Sequence, residues 1–477
     1  MAMIRHLLIA LLLLLGAPQP ALAWQPQTLQ QRVEAQLEQI GRGARAGLVV
    51  ATEDGRELIT INPDGRFMPA SNTKMLTTAA AFASLSGLDR PDAAGGASVH
   101  LAQRRGGAPD VILKGHGDAR LSSRPDCIAN CLAALADAVA ARTRRVQDII
   151  GDDTLFRDER WSPGMSWNNI HTRSGTGISA LTLDDNELEM RVSPGAAGQP
   201  PRAELLPYYQ LINRAVTVTD GPTALSFSRL PGSGVVHLTG TMAAGAQPQT
   251  LRLGVDDPAH YAAWRFKSLL EARRVRVIGV VRVRHQVPAA TPAPADPPAL
   301  ARLTQRPLAE GIVRINKASQ NVHAELLLRR IGAAAGSPSI EGGVARVAAM
   351  LGQAGVPRAG WDLSDGSGMS TYNRLSPRAV VTLLRWAAAQ PWGAAWRAGL
   401  PVAGVDGTLA NRFRGGPLER RLFAKTGSLH ATSALSGYLI GRSGRTLLFS
   451  FFVNDVPEGA SATPTMDRVL EAVAAEF

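Results

Sequence analysis

The sequence predicts a mixed α/β fold in which helices and an antiparallel sheet form one domain that a β-rich insertion splits into two segments. Three observations lead to this prediction. Helix-like and strand-like patterns alternate near both ends of the chain. The middle is a series of short β-like runs separated by Gly, Pro and Asp. Two polar motifs, at Ser71 and Ser319, are separated by far more chain than one compact domain needs between them.

The chain begins with the pattern of a secretory signal peptide. Arg5 precedes an unbroken apolar run from Leu7 to Leu15, and Ala21-Leu22-Ala23 is a small-x-small cleavage site. The run is too short to span a bilayer, and no later stretch approaches the roughly 18 apolar residues that a span requires. We therefore expect export to the periplasm, with peripheral membrane contact or none.

The first segment has clear secondary-structure signals. Gln27 to Ile40 carries apolar residues at helical spacing, which predicts a first helix. Strand-like runs at 46–51 and 57–61 flank a tight turn around Gly55, the pattern of a β-hairpin. Residues 71–85 are again helical in pattern. Ser71 is thereby predicted at a helix start, where unpaired backbone N–H groups favour developing negative charge.

The remaining signals complete the domain prediction. Pro258 to Arg273 reads as a helix within the insertion, 321–330 and 341–351 as later helices, and 423–426 and 436–452 as core antiparallel strands. The predicted division is signal peptide 1–23, first catalytic segment 24–94, β-rich insertion of one or two smaller domains 95–285, Pro- and Ala-rich linker 286–300, and second catalytic segment 301–477.

Ser71-Asn72-Thr73-Lys74 predicts a nucleophile and its base. At this spacing on a helix, the hydroxyl of Ser71 and the amine of Lys74 share one face and can form a hydrogen bond. The chain has only five lysines against 46 arginines, yet it keeps lysine at position 74. A desolvated lysine can lose its proton and act as a base, whereas arginine cannot.

Two further motifs follow in the order typical of penicillin-recognising serine acyl transferases. They are Ser319-Gln320-Asn321 and Lys425-Thr426-Gly427-Ser428. Lys425 offers a cation, Thr426 and Ser428 offer hydroxyl groups to a carboxylate, and Gly427 permits close approach of a substrate backbone. Each motif is weak alone, but their order, their predicted elements and the export signal together favour this chemistry.

On these and further strings, the chain resembles the D-alanyl-D-alanine carboxypeptidase/endopeptidase family, the class C low-molecular-mass penicillin-binding proteins, over nearly its whole length. The strings are Pro69-Ala-Ser-Asn-Thr-Lys74, Gly115-His-Gly-Asp118, Ile315-Asn-Lys-Ala-Ser-Gln-Asn321, Asp365-Gly-Ser-Gly368, Gly404-Val-Asp-Gly-Thr-Leu409 and Lys425-Thr-Gly-Ser428. The resemblance implies a β-lactamase/transpeptidase-like catalytic domain. Asn169 stands where some relatives have Asp, so the preferred diamino acid stays open.

The resemblance also implies a mechanism and a substrate. Neutral Lys74 would deprotonate Ser71, which attacks the penultimate D-alanine carbonyl of a peptidoglycan stem peptide or cross-link, and β-lactams would acylate the same serine. Ser319 would relay a proton to the leaving amine. Asn321, Lys425, Thr426, Gly427 and Ser428 would bind the substrate. No cofactor or metal is expected, and the balance between carboxypeptidase and endopeptidase activity stays open.

Several alternatives remain after the motifs are placed. The net charge of +12 is spread thinly and fits a solvated surface or loose attraction to an anionic envelope polymer, and export argues against nucleic-acid binding. Cys127 and Cys131 can pair in an oxidising compartment, although their spacing leaves this undecided. A β-lactamase and an inactive penicillin-binding scaffold are the competing functions. The role of the insertion and the oligomeric state are not readable.

Overall fold

The computed structural model describes residues 28–286 and 295–477. The predicted signal peptide, 1–23, and most of the predicted linker, 286–300, therefore lie outside the described residues. Among the helices of the described ranges, none has the length and apolar character needed to cross a membrane.

Ten α-helices lie in the described residues. They are α1 Leu29–Glu38, α2 Thr73–Ser84, α3 Leu132–Arg142, α4 Pro258–Ala272, α5 Leu308–Lys317, α6 Asn321–Ala334, α7 Ile340–Gln353, α8 Pro377–Ala388, α9 Gly393–Ala398 and α10 Thr463–Glu476. Several begin at a side-chain cap that satisfies a free N–H of the first turn: Thr28 in a capping box, Asp257, Ser339 and Ser376.

The strands fall into two groups along the chain. The first hairpin and the insertion hold β1 Arg45–Thr52, β2 Glu57–Ile61, β3 Ser98–Ala102, β4 Asp110–Lys114, β5 Arg145–Val146, β6 Ile149–Arg157, β7 Glu187–Ser193, β8 Arg202–Leu205, β9 Gln210–Asn213, β10 Val216–Val218, β11 Ala224–Ser228, β12 Val235–Ala243, β13 Gln249–Gly254, β14 Arg276–Val277 and β15 Val281–Gln286. The second group is β16 Ala299–Arg302, β17 Trp361–Asp362, β18 Arg374–Leu375, β19 Leu422–Leu429, β20 Thr432–Ile440 and β21 Thr446–Asn454.

Both ends of the chain build one antiparallel sheet with the order β19-β20-β21-β1-β2. Alternate residues of β1 enter different cores, as the two-residue period of a strand requires. Val49 packs with the group of helices that includes α2, α6, α7 and α8, whereas Val50 packs with α1 and α10. The sheet is therefore the middle layer of three, and the predicted hairpin and core strands are confirmed.

The middle of the chain forms its own sheets and core. A five-stranded sheet, β15-β6-β4-β3-β16, accompanies a four-stranded sheet of β9 to β12 and a three-stranded sheet β13-β7-β8. Their apolar faces bury a core drawn from residues 97–275. The predicted helix at 258–273 is confirmed as α4, while α3 was not predicted. Strand β16 pairs with β3, so the chain returns to this sheet after the predicted insertion ends.

A disulfide joins Cys127 and Cys131 with a Cα–Cα distance of 5.7 Å. The segment between them is a turn, not a helix, and Asn130 has a φ of 56°, in the left-handed region. The side chain of Asn130 donates to Asp118 at 2.8 Å, which fixes this turn against the Gly115–Asp118 string. The turn therefore brings the two sulfur atoms into bonding distance. The separation of four residues in the sequence had not decided whether these cysteines pair.

Candidate active site

Ser71 lies in a 3₁₀ turn, Ala70–Asn72, directly before α2. Ala70 has a φ of 46°, so the chain reverses sharply just before Ser71. The side chain of Asn72 donates to the backbone oxygen of Lys425 at 3.0 Å and is fully buried. This bond fixes the turn that carries Ser71 against strand β19.

Lys74 lies one turn further along and is completely buried. Its Nζ atom is 2.9 Å from Ser71 Oγ, 2.7 Å from Asn321 Oδ1 and 2.6 Å from the backbone oxygen of Ser367. Burial lowers the pKa of Lys74 to about 7, although the charges of Asp365 and Glu325 act in the opposite direction. An amine with this pKa is deprotonated in a large fraction of molecules near neutral pH.

The second motif forms the turn between α5 and α6. Ser319 has a φ of 55°, a strained conformation for a residue with a side chain, and this points the chain sharply into α6. Its Oγ accepts a hydrogen bond from Lys425 Nζ at 2.9 Å. Asn321 contacts Lys74 through its side-chain oxygen and donates its amide to the backbone oxygen of Ser174 at 3.0 Å. The insertion therefore reaches the site directly.

The third motif lies on β19. Lys425 is fully buried, and this burial, together with the nearby charge of Lys74, holds its pKa well below the usual range. Thr426 donates its hydroxyl to Thr408 at 2.7 Å, and Ser428 is exposed. A Cβ atom at Gly427 would lie 2.7 Å from the backbone oxygen of Pro69, so this glycine allows β19 to approach the turn that carries Ser71.

Strand β19 is at the edge of the central sheet. Its register with β20 is unbroken from Leu422 to Leu429, and the N–H of Ala424 points away from β20 to donate to Pro401. Because backbone groups alternate along a strand, the N–H groups of Thr426 and Ser428 point to the same outer side as that of Ala424. This edge can pair with an extended peptide or donate to a developing oxyanion.

The three motifs thus converge on one site, whereas the three histidines near them lie apart from it. His116 contacts Ser98 at 3.0 Å, and His323 contacts Asp185 at 2.7 Å. His430 is exposed and lies in the turn after β19. In the described ranges, no group of three or more His, Cys, Asp or Glu side chains is arranged to hold a metal ion.

Sequence reasoning missed several residues of this site. The backbone oxygen of Ser367 contacts the predicted base, and the Asp365-Gly-Ser-Gly368 string was the available signal for it. Glu325, which supports that string through two hydrogen bonds, gave no signal because it looks like an ordinary helical residue. Ser174 could not be identified either, because its contribution is a backbone oxygen from the insertion.

Comparison with known proteins identifies close relatives. The model of the D-Ala-D-Ala carboxypeptidase 3 (S13) family matches residues 29–476. The D-alanyl-D-alanine carboxypeptidase of Actinomadura sp. (strain R39) is 37% identical over 459 residues, which cover 92% of this chain and 83% of that protein. The D-alanyl-D-alanine carboxypeptidase DacB of Haemophilus influenzae is 24% identical over 441 residues, covering 88% of each.

The fold has a solved counterpart. The crystal structure of penicillin-binding protein 4 from Haemophilus influenzae superposes with a TM-score of 0.78 at 21% identity and covers 92% of this chain and 97% of that one. The same protein has also been solved in complex with a β-lactam, with a TM-score of 0.75. The predicted fold class, a transpeptidase-like domain with additional β-rich domains, is confirmed by this match.

Proposed function

Because the chain belongs to the D-Ala-D-Ala carboxypeptidase 3 (S13) family, we propose that it is a serine hydrolase acting on peptidoglycan stem peptides through an acyl-enzyme on Ser71. The reaction would release the terminal D-alanine, and cleavage of the equivalent bond in a cross-link would be the endopeptidase reaction. The observation that carries the proposal is the hydrogen bond between Ser71 and a fully buried Lys74.

The first step is proton transfer from Ser71 to neutral Lys74. The 2.9 Å separation of Oγ and Nζ is within direct transfer distance. The Ser71 oxygen then attacks the carbonyl carbon of the penultimate D-alanine. The N–H groups of Ser71 and Ser428 would stabilise the resulting oxyanion, each such donor contributing about 3–4 kcal/mol in serine hydrolases.

The second step is departure of the terminal D-alanine. The bond between the carbonyl carbon and the leaving nitrogen breaks, and that nitrogen must gain a proton. The proton that Lys74 took from Ser71 can reach this nitrogen through Ser319, whose Oγ is held by a hydrogen bond from Lys425 Nζ at 2.9 Å. Water then hydrolyses the ester on Ser71 and restores the free hydroxyl.

Substrate recognition would use the edge of β19. An extended stem peptide can pair with the outward backbone groups of this strand, and the terminal carboxylate can accept from Thr426 and Ser428. Lys425 contributes positive charge whenever it is protonated, and Gly427 keeps the strand close to Ser71. Asn321 would hold the substrate amide, after exchanging its present bond to Ser174.

The location and organisation are part of the same proposal. Stem peptides lie outside the cytoplasmic membrane, and the signal peptide proposed at 1–23 would bring the enzyme into the periplasm with its substrate. We also propose that 24–94 and 301–477 form one catalytic domain and that 95–285 is an insertion beside its site. β-Lactams, which resemble the D-Ala-D-Ala end of the substrate, would acylate Ser71 and inhibit the enzyme.

Labelling with a fluorescent penicillin tests this function. We expect one label per chain, located on Ser71 by peptide mass spectrometry, and release of D-alanine from a stem pentapeptide. The Ser71→Ala variant should show neither. Rapid multiple turnover of nitrocefin would identify a β-lactamase instead. A label on Ser71 without release of D-alanine would identify an inactive penicillin-binding scaffold, absence of any label would contradict the proposed acyl-enzyme, and labelling that persists in Ser71→Ala would mean a different nucleophile.

A further inference from the structure

The loop after β17 supplies the third partner of Lys74. Ser367 is buried, and its backbone oxygen lies 2.6 Å from Lys74 Nζ. The following residue, Gly368, has a φ of 85°, and a Cβ atom there would collide with the backbone oxygen of Ala70. The loop is therefore packed directly against the turn that carries the nucleophile.

The geometry around Lys74 determines where its lone pair points. A neutral lysine has two N–H donors and one lone pair. If the two donors bind the oxygens of Asn321 and Ser367, the lone pair is left facing the hydroxyl of Ser71. The Ser367 oxygen must then be held in place, because a shift of this acceptor would turn the lone pair away from Ser71.

Two buried carboxylates hold the Ser367 oxygen. Glu325 Oε1 accepts from the N–H groups of Gly366 at 2.9 Å and Ser367 at 2.8 Å. Asp365 Oδ1 accepts from the N–H of Gly368 at 2.8 Å, which belongs to the same peptide group as the Ser367 oxygen. The N–H and the C=O of that peptide group point in opposite directions. The N–H of Gly368 donates to Asp365, and the oxygen of Ser367 contacts the amine of Lys74.

The carboxylates are themselves fixed. Glu325 and its partner Arg329 lie on α6 and are both buried, with Arg329 Nη1 2.8 Å from Glu325 Oε2. Arg329 also donates to the backbone oxygen of Glu159 in the insertion at 2.7 Å. Asp365 accepts further bonds from the Ser370 N–H at 2.7 Å and the Asn373 amide at 2.6 Å. Such satisfied buried networks are rigid.

We propose that Glu325 and Asp365 are positioning residues that hold the Ser367 oxygen on Lys74 and, through their negative charges, set the proton affinity of that amine. The inference rests on the proposed function, in which neutral Lys74 activates Ser71. Neither carboxylate touches the hydroxyl of Ser71, so they act through the lysine.

The charges around Lys74 shift its pKa in a definite direction. Burial of Lys74, and the charge of Lys425 on β19 when that amine is protonated, favour the neutral form of Lys74, whereas the charges of Asp365 and Glu325 favour its protonated form. Burial, together with the charge of Glu325, also raises the pKa of Asp365 to about 6. Removing either negative charge should therefore make Lys74 easier to deprotonate, and acylation should then persist at lower pH.

The Glu325→Gln variant separates charge from geometry. Its Oε1 can still accept both backbone N–H groups while the negative charge is gone. The quantity to measure is the second-order rate constant of acylation by a fluorescent penicillin from pH 5 to 9, with folding checked by circular dichroism. The midpoint of the acid limb should move down by about 0.5–1 pH unit, and the rate at high pH should stay within about threefold of the parent.

A second variant is needed in case Glu325→Gln does not fold, because that substitution leaves the buried Arg329 without its ion-pair partner. Asp365→Asn removes a charge from the other side of the Ser367 peptide and leaves that ion pair intact, and its midpoint should also fall. Glu341→Gln is the matched control, since Glu341 is an exposed carboxylate in the first turn of α7. Its midpoint should equal that of the parent.

The outcomes distinguish a positioning role of the two carboxylates from a structural one. Midpoints that fall in both variants, with the control unchanged, support the positioning role. Folded variants that lose rate at every pH without a change of midpoint would show a structural role only and overturn the inference. A midpoint that rises would also overturn it. Failure of the proposed function would appear separately, as labelling that survives in Ser71→Ala.

Discussion

The amine of Lys74 lies 2.9 Å from the hydroxyl of Ser71 in a site where the lysine has no exposed surface. Burial holds the pKa of Lys74 at about 7, and only the neutral amine can accept the serine proton. The rate of acylation should therefore rise about tenfold per pH unit below pH 7 and level off above it. A rate that is constant from pH 5 to 8 would contradict this assignment of the base.

Replacement of Lys74 by arginine tests the same assignment by substitution. Arginine keeps its proton at all accessible pH values, so Lys74→Arg should lower the acylation rate by about 10³-fold or more. The matched control is Lys267→Arg on α4, where the amine is partly exposed and pairs with Glu271 at 2.7 Å. The control should acylate at the parental rate. Parental acylation by the Lys74 variant would exclude this lysine as the base.

The hydroxyl of Ser319 is placed by Lys425 and has a relay role in the proposed mechanism. The Ser319→Ala variant should lower acylation by about 10²–10³-fold, because the leaving group then lacks a positioned proton donor. Penicillin binding before acylation should change little. Stopped-flow labelling separates the two steps, and Ser443→Ala, in the exposed turn before β21, is the control. A rate within threefold of the parent would remove Ser319 from the relay.

The local parts of this site could be predicted from the sequence. Ser71 and Lys74 share a helix face by spacing alone, and the hairpin of β1 and β2 follows from an apolar pattern around a glycine turn. The helix α3 was also readable, since Leu132, Leu135, Ala136 and Val139 have helical spacing and are buried, but the surrounding β-like runs obscured it.

The long-range parts could not be predicted. Glu325 and Ser367 are 42 residues apart, with the rest of α6, the whole of α7 and β17 between them, and only the tertiary fold shows that one holds the other. The structure also gives a different reason for glycine at position 427 from the one that the sequence indicated. The sequence indicated room for substrate, whereas the structure gives the close approach of Pro69 to β19 as a direct reason for glycine. Motifs name residue types, but contacts between distant segments determine their roles.

Glycine at position 427 should therefore be required even before substrate binds. A methyl group there would lie 2.7 Å from the Pro69 oxygen and 3.0 Å from the Ala434 Cβ, so Gly427→Ala must displace β19 from the Ser71 turn. We expect a loss of about 1–3 kcal/mol in stability and at least a tenfold fall in acylation. The control Gly352→Ala, exposed on α7 with open space around it, should be neutral or slightly stabilising. Equal effects of the two substitutions would contradict this account.

Asp185 connects the insertion to helix α6, because it accepts from the ring of buried His323 at 2.7 Å and from Arg314 at 2.6 Å. Burial alone would raise the pKa of Asp185, but the bonds from His323 and Arg314 outweigh it and lower the pKa to about 2. A carboxylate with a lowered pKa stabilises the fold above its unfolded pKa, and this contribution disappears as the pH falls toward the folded value.

Asp185→Ala should therefore reduce the free energy of unfolding by about 2 kcal/mol between pH 5 and 7, as denaturant titration would measure, and the difference should shrink below pH 4. Asp137→Ala is the control, since this exposed carboxylate pairs with Arg273 and should contribute less than about 1 kcal/mol. If the Asp185 variant lost no more stability than the control, the contact would not be holding Asp185 and its segment against α6.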